Sequence, residues 1–397
     1  TNRRNRALST DTPSDAETKQ IVEEGAGYLR YAVAAYGIFE IQAAEMNGGG
    51  VQEEEESALE HWLHLPGHLW GKATDTITNY FESLADIARR DRLINYLGIE
   101  DEDLIYLTEP GGDPILVRHF VAIDNTNKAV VLAIRGTYCA SDILTDILVM
   151  STDFCGGRAH RGFVERALTL WNNPDTAAAL QRGFELHPDY RLVLVGHSLG
   201  AGIASLLTIK HYYDNNPREV QCYGYGSPPV YWLKPLSASS PELEPMRASV
   251  QQAISKTVCF INGADTIPFL SVDSIRRLAF TLNRVDEVTR HMDIFHRLLL
   301  ARGGGSVPQE LIDIVKEASE DLAPVFAGER LQVAAHYVIW YEKEPDDSTF
   351  DYKFCSPKRL ANLSILLDRN MIFDHMAPGY EDGVLALGAP LPSEATQ

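Results

Sequence analysis

An α/β architecture, with a mostly parallel central sheet, helices on both faces and a helical cap insertion, is the fold class this sequence predicts. Three observations predict it. The apolar runs Ala129 to Ile134, Leu192 to Val195, Val220 to Tyr225 and Thr257 to Ile261 are near-continuous rather than alternating, the pattern of strands buried on both faces. Helical stretches such as Phe163 to Leu186 and Ala201 to Tyr213 stand between them, an order that builds a parallel sheet. The segment Gly196-His197-Ser198-Leu199-Gly200 joins one such strand directly to one such helix.

Taken in order, the chain begins with a mostly helical region, residues 1–107, expected to pack on a core formed by residues 108–397. Gly48-Gly49-Gly50 and the acidic run Glu53 to Glu56 break the helical pattern and read as a solvated loop. His61, His64 and His68 do not predict a metal site, because Pro66 and Gly67 interrupt any shared helix face and no Cys or carboxylate cluster completes the set. Strands then begin. The run Ile115 to Ile123, the polar turn Asp124 to Asn127 and the run Ala129 to Ile134 predict a hairpin. The run Leu331 to Tyr341 is expected to be a late strand, with a helical insertion before it at about 271–328 and a loose tail from Pro390 to Gln397.

Composition excludes several classes. Hydrophobic residues at 45% and charged residues at 23% are ordinary globular usage rather than that of a disordered chain. The net charge of -20 argues against a nucleic-acid partner, since such a surface repels a polyanion. Five scattered cysteines, at 139, 155, 222, 259 and 355, cannot all pair internally and point to a reducing compartment. The most apolar early segment, Ala26 to Ala44, carries Arg30 and Glu40 and is not expected to span a bilayer. A cytoplasmic or peripheral-membrane location is expected, with secretion left open because the sequence starts at Thr1 without a Met.

The Gly-x-Ser-x-Gly turn in its strand-to-helix setting is a nucleophile elbow, which places the chain in the α/β-hydrolase fold. The turn lifts Ser198 to the carboxyl end of the sheet, and the helix N-terminus behind it favours a developing oxyanion. Serine is a weak nucleophile until an imidazole takes its proton and a carboxylate orients that imidazole. Asp265 is the preferred acid, because it follows the run Thr257 to Ile261 after a short turn at the same sheet edge; Asp273, Asp286 and Asp293 read as solvated or capping residues. For the base, His375 in a loop beyond the last strand is preferred over His336, inside the run Leu331 to Tyr341, and over His211, His291 and His296 on helices. The oxyanion hole is expected from the N–H of Leu199 and from Thr137, which follows Arg135-Gly136 at the end of an early strand.

With these residues in place the sequence resembles the class 3 lipase family, and within it the diacylglycerol lipase group. The matching pieces are Arg135-Gly136-Thr137, Ser141 to Asp146, His160-Arg161-Gly162-Phe163, Gly196 to Gly202, Asp265 to Ser271, and Asp374-His375 followed by Tyr380. The resemblance implies Ser198 as nucleophile, Asp265 as acid, His375 as base, and an acylglycerol or related acyl ester as substrate. Phe269 departs from the family, whose members commonly carry a basic residue there. The expected activity is cofactor-free hydrolysis of lipid acyl esters, most of all di- or monoacylglycerols, with contact to a membrane or lipid-droplet surface. A phospholipase A1 or soluble carboxylesterase is the alternative within the class, and a catalytically idle binding protein the alternative outside it.

The insertion carries a stripe of Ile275, Leu278, Leu282, Val285, Val288, Met292, Phe295 and Leu299, with Arg276, Arg277, Arg284, Arg290 and Arg297 mainly off it. It reads either as a cap hinged at Gly303-Gly304-Gly305, with Ser141 to Met150 as a competing lid, or as an ordinary helix packed permanently on the sheet.

Overall fold

The computed structural model describes residues 15–36, 86–108, 113, 115–136, 151–234, 244–290, 309, 312–313, 330–343, 350–361, 365, 370–371 and 373–386. Among these, eight strands form one sheet in the spatial order β1 (Leu104–Leu107), β2 (His119–Asp124), β3 (Ala129–Ile134), β6 (Arg191–His197), β7 (Val220–Tyr225), β9 (Thr257–Asn262), β10 (Tyr337–Lys343) and β11 (Phe350–Cys355). The five central strands, β3 to β10, run parallel; β2 at one edge pairs antiparallel with both β1 and β3, and β11 at the other edge pairs antiparallel with β10. A second, three-stranded sheet joins β4 (Ser151–Phe154), β5 (Gly157–His160) and β8 (Tyr231–Leu233).

Strand periodicity sorts the core into two faces. Ala129, Val131, Ala133, Val193, Val195, Tyr223 and Phe260 point to one side, where α1 (Asp15–Ala34) and α9 (Ala377–Ala386) lie. Val130, Leu132, Ile134, Leu192, Leu194 and Cys222 point to the other, under α3 (Arg161–Trp171), α4 (Pro174–Leu186), α5 (Leu199–Tyr213) and α6 (Glu244–Ser255). Helix α5 is apolar almost all round because it is buried almost all round. Helix α2 (Asp86–Leu97) packs beside α1 through Leu93 and Leu97.

Four sequence expectations change. The stretch Phe163 to Leu186 is two helices: Pro174 opens α4 and the Asn173 side chain accepts the Thr176 N–H at 2.9 Å, a cap that starts a new helix. The run Leu331 to Tyr341 becomes a strand only from Tyr337, because Gln332 pairs with Tyr231 of the second sheet. His336 therefore sits exposed at the amino end of β10 rather than inside a strand. Asp273, expected to be solvated or capping, is buried between Arg277 at 3.3 Å and Arg330 at 2.8 Å, in the first turn of α7 (Val272–Thr289). This pairing also draws Arg277 inward, so it does not join a basic outer face.

Of the insertion's stripe, Ile275 and Leu278 pack on the apolar cluster around Ile261 and Val338, whereas Leu282 is 49% exposed. Met292, Phe295, Leu299 and Gly303 to Gly305 lie outside the described residues, as do the competing segment Ser141 to Met150 and the triad of early histidines.

Candidate active site

Strand β6 runs straight into α5, and Ser198 between them has φ 57 and ψ -124, a conformation that L-residues adopt only where the surroundings impose it. Its N–H donates to the Tyr225 carbonyl at 2.8 Å, which fixes the turn to β7. Close packing is the reason for glycine at position 200: a Cβ there would run into the Ile134 carbonyl at the end of β3. The strained turn is thus wedged between two strands and its own helix. Leu199 opens α5, so its N–H is one of the first-turn donors that a helix leaves without an internal acceptor.

Asp265 stands beyond the carboxyl end of β9 and is fully buried. Its Oδ1 accepts the Ile267 N–H at 2.8 Å, and its Oδ2 faces His375 Nδ1 at 3.0 Å. The other imidazole nitrogen, Nε2, lies 2.9 Å from Ser198 Oγ. A carboxylate only accepts, so Nδ1 carries the proton and Nε2 is left to accept from the serine hydroxyl. These three side chains, separated by up to 177 positions in sequence, form one connected chain of hydrogen bonds. His336 takes no part, being at the opposite end of the parallel strands; His211 is buried in α5 with its Nε2 on the Arg218 carbonyl. Thr137, His291 and His296 lie outside the described residues, and Gly136 is the last one described before the expected oxyanion loop.

The loop carrying His375 is tied down from several sides. The Asp374 carboxylate accepts the Ala264 N–H at 2.6 Å, and Asn262 Nδ2 donates to the Asp374 carbonyl at 3.1 Å. These contacts hold the acid loop and the base loop together by their backbones as well as by the Asp265–His375 pair.

Three neighbours escape a reading of motifs. The Tyr380 hydroxyl donates to Asp265 Oδ2, and burial together with the Asp265 charge pushes its pKa well above the usual phenol value, so it remains a donor. Gly226 has φ 60, and a Cβ there would press on Asp265 Oδ2, the Tyr380 hydroxyl and His375 Cε1. His197, the variable position of the elbow, is 3% exposed, and burial followed by the proximity of His375 holds its pKa well below the usual imidazole value. The only one with a prior signal is Tyr380, through its place after Asp374-His375.

The sequence pattern of the lipase (class 3) family matches residues 131–274, which span β3, the elbow and the Asp265 loop. Over that span the chain is similar to the class 3 lipases. It is similar to diacylglycerol lipase-beta of Mus musculus, 29% identical over 49% of this chain and 27% of the mouse protein. It is also similar to a secreted mono- and diacylglycerol lipase A of Penicillium cyclopium, 35% identical over 28% of this chain and 36% of that protein. The chain thus spans about a quarter to a third of the length of these curated relatives. A crystal structure of a mutant form of MDLA from Penicillium cyclopium aligns at a TM-score of 0.40 and 21% identity, over 66% of this chain and 77% of that one. No described helix is long and apolar enough to cross a membrane.

Proposed function

We propose that this chain hydrolyses acyl esters of lipids, with di- or monoacylglycerol as substrate, through an acyl enzyme on Ser198. The observation that carries the proposal is the serine hydroxyl of a strained elbow lying 2.9 Å from an imidazole whose other nitrogen is engaged by a buried carboxylate. Ser198 Oγ attacks the ester carbonyl as its proton passes to His375 Nε2. Asp265 keeps Nδ1 protonated and stabilises the imidazolium that results. The N–H of Leu199, with Thr137 as its partner, receives the oxyanion. Collapse of the intermediate expels the glycerol oxygen, which takes the proton from His375. Water then attacks the acyl enzyme with His375 again as base, and the fatty acid leaves while Ser198 regains its hydrogen.

The similarity to mono- and diacylglycerol lipases supports an acylglycerol substrate over a phospholipid or a short soluble ester. Contact with a lipid surface is supported by Phe373 and Met376, which flank His375 and are 43% and 41% exposed, giving the mouth of the site an apolar rim. Purified enzyme should release fatty acid from dioleoylglycerol in mixed micelles faster than from phosphatidylcholine or from a water-soluble butyrate ester. Preference for phosphatidylcholine would replace the acylglycerol reading by a phospholipase, and exclusive turnover of the soluble ester by a carboxylesterase.

A further inference from the structure

A side chain just beyond the N-terminal helix reaches the catalytic centre. Tyr36 follows α1, is 4% exposed, and lies far outside the span that matches the lipase family. Its hydroxyl is 2.7 Å from His197 Nδ1, and His197 Nε2 is 2.7 Å from the backbone carbonyl of His375. A carbonyl can only accept, so Nε2 must carry the His197 proton. The imidazole is neutral in its buried site, so Nδ1 has a lone pair and the Tyr36 hydroxyl is its donor. Direction is thereby set along the whole chain: Tyr36 O–H to His197 Nδ1, then His197 Nε2–H to the His375 carbonyl.

The same hydroxyl also bears on the other side of the site. A Cβ at Gly136 would collide with the Tyr36 hydroxyl and with the His197 carbonyl, and would come within 3.1 Å of Ser198 Cβ. Tyr36 is therefore wedged between Gly136, just past the end of β3, and His197, which in turn holds the loop that carries the base. Alongside the ties through Asp374, the bond from His197 holds the base loop at the backbone carbonyl of His375 itself.

We propose that Tyr36 is a positioning residue for the hydrolytic reaction: by donating to His197 Nδ1 it holds the imidazole whose Nε2–H locks the His375 backbone, and with it the distance from His375 Nε2 to Ser198 Oγ. This rests on Ser198 and His375 acting as nucleophile and base. It makes the N-terminal helix a part of the catalytic centre as well as of the core. A misplacement of about 1 Å in a base costs on the order of a hundredfold in rate, and it does so in the transition state more than in substrate binding.

The test compares Tyr36→Phe and His197→Gln, singly and together, with wild type in acylglycerol turnover, in the rate of fluorophosphonate labelling and in thermal unfolding. Tyr36→Phe should lower kcat and the labelling rate together by about 10- to 100-fold with KM within about twofold. The double variant should be no worse than His197→Gln alone, because the two side chains act in series. Additive losses, or a KM effect with kcat unchanged, would overturn the proposal. Wild-type protein that fails to label at all would instead overturn the serine reading on which it rests. Independently of whether the variants fold, 15N NMR of histidine-labelled wild type should show His197 protonated at Nε2 and bare at Nδ1; the reverse tautomer would also overturn it.

Discussion

Tyr380 and His375 donate to the same oxygen of Asp265, Oδ2, while Oδ1 is taken by the Ile267 N–H. The carboxylate that orients the imidazole is thus itself oriented by a phenol from the helix that follows the base. Tyr380→Phe removes that donor but leaves the backbone one, so turnover should fall by about tenfold, corresponding to roughly 1.4 kcal/mol of transition-state stabilisation. Steady-state kinetics of the folded variant check this, and an unchanged kcat would mean that the backbone N–H alone suffices.

Gly226 faces the same three groups at a positive φ. Gly226→Ala should cost about 1 to 3 kcal/mol in stability from backbone strain, and a larger share of activity because the added methyl presses on Asp265 and His375. Urea unfolding and turnover measured on one preparation separate the two effects.

Acid should weaken the fold through its buried histidines. Burial is the first cause of the low pKa of His119, His197 and His211 in the native protein. Each binds a proton more readily when unfolded, so their contribution is intact above the unfolded pKa of about 6.5 and is lost as pH falls from there toward the depressed native values. Each adds up to about 1.4 kcal/mol per pH unit to that slope. His197→Gln should flatten the dependence of unfolding free energy on pH by about one proton between roughly pH 6.5 and 5. An identical slope would show that His197 is not buried in its neutral form.

Asp273 joins the first turn of α7 to Arg330, which precedes the last part of the sheet. Removing the carboxylate from this buried cluster should be far more costly than removing a surface charge. Asp273→Ala is expected to lower unfolding free energy by about 3 kcal/mol, against at most about 1 kcal/mol for a solvated acid. Chemical denaturation is the check.

The sheet was legible where its chemistry is local. Apolar runs without alternation marked β3, β6, β7 and β9 nearly residue for residue, because strands buried on both faces have no polar face to mix in. The elbow could be read from glycines that a strained, crowded turn demands. Position relative to the strands, more than residue type, singled out Asp265 and His375. What resisted reading depends on distant partners. Nothing near Tyr36 in sequence signals His197, and nothing near Gly226 signals Asp265. The apolar run before Tyr337 looked like strand because hydropathy does not reveal that Gln332 turns aside to pair with Tyr231. Likewise Asp273 looked solvated because one of its arginines is 57 positions away. The short strands β4 and β5 contain polar residues, and β8 spans only three residues, so none leaves a periodicity to detect.

The central claim is that Ser198 is the nucleophile, and mass-spectrometric mapping of a fluorophosphonate adduct tests it most directly. One stoichiometric phosphonyl adduct is expected, on the peptide containing Ser198, formed at a rate that falls by orders of magnitude in His375→Ala and disappears in Ser198→Ala. An adduct on any other residue, or labelling that persists in Ser198→Ala, would contradict it.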